Sequence, residues 1–381
     1  MTVSGRSKLD PIMSFAGILG FADSPAAIDA HFSLAERMPQ YVAIRQFIIY
    51  HKRDMLDIIE KHAIRFPEFE QLNTSFPAYK IGISNSERHI SGVIAIMPGS
   101  KTDISRIITV SFSSFWVMVV RRLVRGFYPN AMPVFFRQQE ISEALSSLES
   151  SLPAGYTIHL SDVTSREERI MDPNSRRKEY DTRRLWTDTP WRDVFLNAQE
   201  NGEWFTGLKF SIQRERNTRT SYTIASGRLY KHGEIHYDFY HEKISNTVIV
   251  ALEQSAHERL SLLQERGIRE RNYNPSDPIE IAFDFDAFSR VEDIRGFGNI
   301  MAKYPHSTKA VYHSNPYYHA SIADILDGSS FDMWVLSQNK IVVIPQAKSS
   351  PQAFERLIAY VFSEFNEGTV NVYEDSDQIS E

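Results

Sequence analysis

The chain has 381 residues, of which 42% are hydrophobic and 24% charged, with a formal net charge of −6 and no cysteine. This is ordinary globular usage in a chain long enough for two domains. It excludes disulfides, thiolate nucleophiles and cysteine-ligated zinc, and it argues against coating nucleic acid by bulk charge. The first residues lack the basic, apolar and small-residue pattern of a secretory signal. The apolar stretch 107–120, fenced by Arg106 and Arg121, is shorter than the roughly 18–20 residues that span a bilayer. A soluble, intracellular protein is therefore expected, placed in the cytoplasm and away from membranes.

In chain order, Ser24-Pro25 predicts a helix start, with serine as cap and proline in the first turn. Ile44, Phe47, Ile48, Met55, Ile58 and Ile59 fall on one helical stripe, which predicts a helix over 40–62. Residues 1–75 thus read as a small helical module. From Tyr79 the period changes to two. "AYKIGI" and "HISGVIAIMP" read as paired strands, the 107–120 stretch as a buried strand, and 139–150 as an amphipathic helix. Residues 76–160 form a first α+β domain in this reading.

Residues 161–203 open with a charged, apolar-poor run without a clean period, and read as a connector with short helical pieces. Beyond it, "WFTGLKFSIQR" and "RTSYTIASGRLY" predict a hairpin, "GRLYKHGEIHYDFYH" a turn at His232-Gly233, and 252–266 a helix. "PIEIAFDFD" reads as a strand, "FDMWVLSQNKIVVIPQ" as a hairpin through Gln338-Asn339. Ser350-Pro351 opens the last helix, whose Phe354, Leu357, Ile358, Val361, Phe362 and Phe365 make a strong apolar stripe. Residues 204–381 form a second α+β domain ending in an acidic tail that holds Glu367, Glu374, Asp375, Asp377 and Glu381. The expected class is α+β: an N-terminal helical module, then largely antiparallel sheets with amphipathic helices packed on one face.

Several catalytic signatures are absent. "MPGSKTD" at 97–103 fails as a phosphate loop, because Ser100 separates Gly99 from Lys101. No G-x-S-x-G elbow and no H-E-x-x-H helix is present. The glycines of "RGFGN", 295–299, read as bending or ending a helix.

Four candidates for chemistry remain. Asp284 and Asp286, sharing a strand face with Glu280, suit Mg²⁺ or Mn²⁺, hard ions that take carboxylate oxygen. A capping box at Ser289–Glu292 would place a helix N-terminus just beyond them, which also favours carboxylates there. In "EIHYDFYHE" alternation puts Glu234, His236 and Asp238 on one face, and His236 with Asp238 is a candidate acid–base pair. The aromatic stretch 312–321, with His313 and His319 around an Asn-Pro turn, is a binding-loop candidate. Finally Arg183, Arg184 and Trp186, with Arg214, Arg216 and Arg219 at a hairpin tip, combine phosphate-neutralising and base-stacking groups.

The favoured reading is a non-catalytic binding or assembly subunit that recognises a macromolecule, nucleic acid ahead of a protein subunit, and needs no cofactor. The alternative is a Mg²⁺- or Mn²⁺-dependent phosphoryl or nucleotidyl transferase or nuclease built on Asp284 and Asp286. A third reading is a structural, oligomeric protein.

Overall fold

The computed structural model describes residues 42–72, 74, 76–84, 89–167, 182–217, 220–239, 243–263 and 278–373. The helix expected at Ser24-Pro25 and the acidic residues from Glu374 onward lie outside them. The described residues divide into two compact units, the first drawn from Met1–Thr164, Arg183–Asn197 and Phe205–Gln254, the second from Ser165–Thr182, Ala198–Trp204 and Ser255–Glu381.

The first unit begins with strand β1 (Val42–His51) and helix α1 (Met55–Ala63), capped by Asp54, whose Oδ1 accepts from Leu56 N at 2.8 Å. The expected helix over 40–62 is therefore corrected over its first half. β1 lies in mid-sheet, and Ile44, Phe47, Ile48 and Ile49 are all buried. A strand covered on both sides carries no period-two signal, and its apolar run imitates a helical stripe.

Strands β2 (Glu68–Gln71), β3 (Ala78–Ser84), β4 (His89–Pro98) and β5 (Ile104–Phe112) follow. The chain then turns at Ser113 into helix α2, residues 113–125, whose Trp116–Val120 segment is a wide π turn. The sequence placed one strand over 107–120. Apolar content is the same for a buried strand and a buried helix, so periodicity could not separate them.

After β6 (Ala131–Pro133) come α3 (Gln138–Ser151), β7 (Tyr156–Glu167), β8 (Thr182–Pro190), α4 (Trp191–Glu200), β9 (Glu203–Asn217), β10 (Thr220–Tyr230) and β11 (Glu234–Phe239). α5 is entered through a π turn, Ile244–Ile249, and runs on over Val250–Ser261. The sheet order is β2-β3-β4-β5-β1-β11-β10-β9-β7-β8, with β6 also on β1. The charged connector is corrected too: residues 156–167 and 182–190 are sheet strands. β8 is the edge strand, with Arg183, Leu185 and Thr187 exposed along it, so no buried apolar face marks it in the sequence. Residues 168–181 lie outside the described set.

Gly233 closes the β10–β11 turn at φ 74, and an added Cβ would meet Val134 O at 2.8 Å. Only glycine suits both conditions there.

The second unit holds an antiparallel sheet ordered β13 (Ser307–His313), β14 (Tyr318–Asp324), β15 (Ser330–Ser337), β16 (Lys340–Pro345), β12 (Ile279–Ala282) and β17 (Thr369–Val372). Helices α6 (Val291–Ala302) and α7 (Pro351–Glu364) pack on one face. Phe297 meets the inward-facing Tyr318 edge-on at 5.4 Å, and Phe354 meets Phe331 at 6.3 Å. Phe365 stacks on Phe288 at 5.1 Å. Such aromatic pairs add about 0.5–1.5 kcal/mol each beyond the area they bury.

α7 starts where expected: Ser350 Oγ accepts from Ala353 N at 3.1 Å, with Pro351 in the first turn. α6 starts one residue later than the expected box. Arg290 is its cap, and Asp293 Oδ2 accepts from Arg290 N at 2.9 Å. Asp293 is buried and holds the Arg290 side chain as well, a pairing that Glu292 cannot make from the exposed side. Gly296 and Gly298 lie inside α6 and do not end it. At Gly298 a Cβ would sit 3.3 Å from the Tyr318 ring, so the glycine serves close helix–sheet approach. Among the described residues no helix is long and apolar enough to cross a membrane.

Candidate functional site

Register builds the site. Antiparallel partners point their side chains to the same side of a sheet. Thr109 on β5 is opposite Arg45 on β1, Arg45 opposite His236 on β11, His236 opposite Arg228 on β10, and Arg228 opposite Lys209 on β9. One polar row thus crosses five strands. Asp162 on β7 and Arg183 on β8 extend it: Asp162 Oδ2 accepts from Arg228 Nη2 at 2.7 Å and from Arg183 Nη2 at 2.6 Å, and its Oδ1 accepts from Arg183 Nε at 2.8 Å.

Glu234, two residues before His236, shares that side of β11. α2 crosses here, with Trp116 stacked on Phe47 at 4.7 Å. The helix delivers Trp116 Nε1 to Glu234 Oε1 at 2.6 Å, and Arg121 Nη2 and Nε to the same carboxylate at 2.7 and 3.0 Å. His236 Nε2 donates at 2.6 Å, and His232 Nε2 lies 3.1 Å away. Burial alone would push the Glu234 carboxyl up. Hydrogen bonds from His232, His236 and Arg121 outweigh it and hold the group far below the usual carboxylate range. Burial pushes His236 down, and Arg45 and Arg121 add to that against the pull of Glu234, so the ring is neutral near pH 7. Asp162 is held low first by the Arg183 hydrogen bond, with burial opposing and Arg228 assisting.

Two further groups complete the side. Arg45 Nη1 donates to Ser111 O, while its buried Nε has no hydrogen-bond partner among the described residues. Lys209 Nζ lies 3.7 Å from Asp238.

The cations and carboxylates are layered. The Asp162 and Glu234 side chains are 6% and 0% exposed, against 60% for Arg183, 38% for Arg228 and 32% for Arg121. Buried acids hold one edge of each guanidinium, and the remaining donors face water. With Arg45 and Lys209 counted, cations outnumber the carboxylates Glu234, Asp162 and Asp238. The face therefore carries a net positive charge.

Sequence-derived candidates distribute unevenly over this face. His236, Asp238 and Arg183 lie on it. His236 and Asp238 do not form the expected pair, since His236 binds Glu234 and Asp238 faces Lys209. Arg184 and Trp186 follow Arg183 on β8 at one and three positions, which places them on the other side of the strand. Arg214 sits further along β9, donating to the Tyr222 hydroxyl at 3.0 Å with its guanidinium 5.4 Å from the Tyr156 ring centre. The side chain of Arg216 and all of Arg219 lie outside the described residues. The sequence missed Asp162, Arg228 and Trp116, and assigned Glu234 no role.

In the second unit, β12 pairing stops at Ala282, so Asp284 and Asp286 stand exposed in the turn beyond it and not on a strand face. Among the described residues no group of three or more His, Asp or Glu gathers to hold a metal ion. The 312–321 stretch does gather rings on the open side of the smaller sheet. His313 is opposite His319, and His319 opposite Trp334. His319 stacks on Trp334 at 3.4 Å, with Tyr312 at 4.7 Å from His319, and Tyr317 at 4.8 Å from His313.

Four histidines, His51, His62, His236 and His319, are held below the ordinary value, burial being the largest cause for each. The unfolded chain binds these protons at higher pH than the native one. Their neutral forms therefore support the fold fully above about pH 6.5, and that support is lost as pH falls below it. Melting curves should be flat from about pH 8 to 7 and decline below about pH 6.5, with a shallower decline for His236→Gln. A melting temperature constant down to about pH 5 would contradict this.

No protein-family model matches the chain, and no curated protein is similar to it.

Proposed function

We propose that the chain is a non-catalytic binding subunit that engages the phosphate backbone of single-stranded nucleic acid. The observation that carries this reading is the layered face of the first unit, where buried Asp162 and Glu234 fix the exposed Arg183 and the partly exposed Arg228 and Arg121. A guanidinium held this way gives up little side-chain freedom on meeting a phosphate, and its planar fork matches phosphate oxygens. His236 lies between Glu234, Trp116 and Tyr230, a setting that orients a ring without giving it a nucleophile to activate. The ring row of the second unit is a separate contact surface of the kind on which unpaired bases stack.

The test is anisotropy of a labelled single-stranded oligonucleotide across a salt series. The logarithm of affinity should fall linearly with the logarithm of salt, by about 0.7 per phosphate contact. Arg183→Gln combined with Lys209→Gln leaves Asp162 its Arg228 partner, so the fold survives. This pair should weaken binding about tenfold or more and shrink the salt slope by about 1.4. Trp334→Ala should cost about 1–3 kcal/mol on its own. Salt-independent binding, or affinity for an acidic protein in place of the oligonucleotide, would remove the reading.

A further inference from the structure

The first unit also contains a cleft of about 530 Å³ that the cationic row does not use. It lies among the end of α1, the β3–β4 pair and the outer side of α2. Sites for small organic ligands are typically about 300–1,000 Å³. Phe66, Ile90, Met118 and Leu123 give it apolar wall. Among the described residues the charged or ionisable groups lining it are Arg65, Arg122 and His62, with no carboxylate.

The His62 ring adds an independent sign. Its Nδ1 is buried and has no hydrogen-bond partner among the described residues. A polar atom left so costs about 1–3 kcal/mol, which a ligand oxygen would recover. Gly126 stands next to it: an added Cβ would come within 3.4 Å of His62 Nδ1, close to where such an oxygen would sit. Burial holds the His62 ring below its ordinary value, and the nearby cations Arg65 and Lys61 lower it further.

We propose that this cleft binds a small organic anion with an apolar body, its carboxylate or phosphate group held by Arg65, Arg122 and His62 and its hydrocarbon part lying on Phe66, Ile90 and Leu123. The occupant is distinct from a nucleic acid. The apolar walls have no use for a sugar–phosphate chain, and Arg122 is on another side of α2 from Arg121, which is committed to Glu234.

Calorimetric titration of the full chain with decanoate, decyl phosphate and decanol tests the proposal. One or both anions should bind saturably at one site, and the pair tells a carboxylate preference from a phosphate one. Neutral decanol should bind about tenfold more weakly or worse, as expected for loss of charge-assisted hydrogen bonds. Arg65→Gln with Arg122→Gln should weaken the anions about tenfold. Met118→Trp, placing a larger side chain at the mouth, should abolish binding. Arg183→Gln with Lys209→Gln should leave it unchanged, which separates this site from the nucleic-acid face. No saturable binding of either anion, equal affinity for decanol, or variants that bind like the parent would each overturn it. The decanol comparison needs no substitution and so holds even if a variant fails to fold.

Discussion

Glu234→Ala is expected to destabilise the first unit by about 3–5 kcal/mol, the usual cost of removing one partner from a buried charged network. The carboxylate is fully buried and accepts from Trp116, Arg121 and His236. Without it the Trp116 N–H and the inner edge of the Arg121 guanidinium lose their acceptor in a region closed to water. At this size about 10 °C of melting temperature should be lost. Glu234→Gln should fall between, because an amide oxygen can still accept from Trp116 but leaves the Arg121 charge unbalanced. Thermal melts of the three chains decide it. A loss below about 1 kcal/mol for Ala would mean that the network relaxes into solvent, and the layered face would then not be rigid.

The second large effect lies in the other unit, which takes α5 from Ser255 onward. Arg259 on α5 donates to Glu355 on α7 through Nη2 at 2.7 Å and Nε at 2.9 Å, and both side chains are buried. Arg259→Ala leaves a buried carboxylate without its main counter-charge and should cost about 3–5 kcal/mol. The double change Arg259→Met with Glu355→Leu removes both charges while keeping the volume. It should come within about 1–2 kcal/mol of the parent, because the penalty of an orphaned charge is gone. A double-mutant cycle from denaturant unfolding measures the coupling. If the double variant loses as much as the single ones added together, the pair is not coupled and packing alone explains the cost.

Parts of the fold were legible because local and tertiary demands agree. α7 has a serine cap, a proline in its first turn and an unbroken apolar stripe, and the β15–β16 and β9–β10 hairpins show alternation on both arms around polar tips. β1 was not legible because burial on both sides erases its period. The start of α2 was hidden because the 107–120 stretch stays apolar as the chain passes from strand to helix. β8 was hidden because an edge strand needs few apolar residues. The site was legible only in part, for a different reason. "EIHYDF" showed that Glu234, His236 and Asp238 share a face, but not which groups meet them. Trp116 reaches Glu234 across 118 positions, and Arg228 reaches Asp162 across 66. Packing of α2 on the sheet brings Trp116 to Glu234, strand register brings Arg228 to Asp162, and neither leaves a local mark in a single sequence.

The transverse course of the cationic row has a consequence for how this protein can change over evolution. Each member comes from a different strand, and strands that follow one another in the chain are joined by turns and helices. Insertions or deletions in those connections leave the row untouched, so the loops are free to diverge and to tune what the face receives. A single deletion inside β10 is a different event. It would turn Arg228 away, bring its apolar neighbour Leu229 to the open side, and break the face in one step. Related chains should therefore differ in loop length while keeping the spacing within these strands.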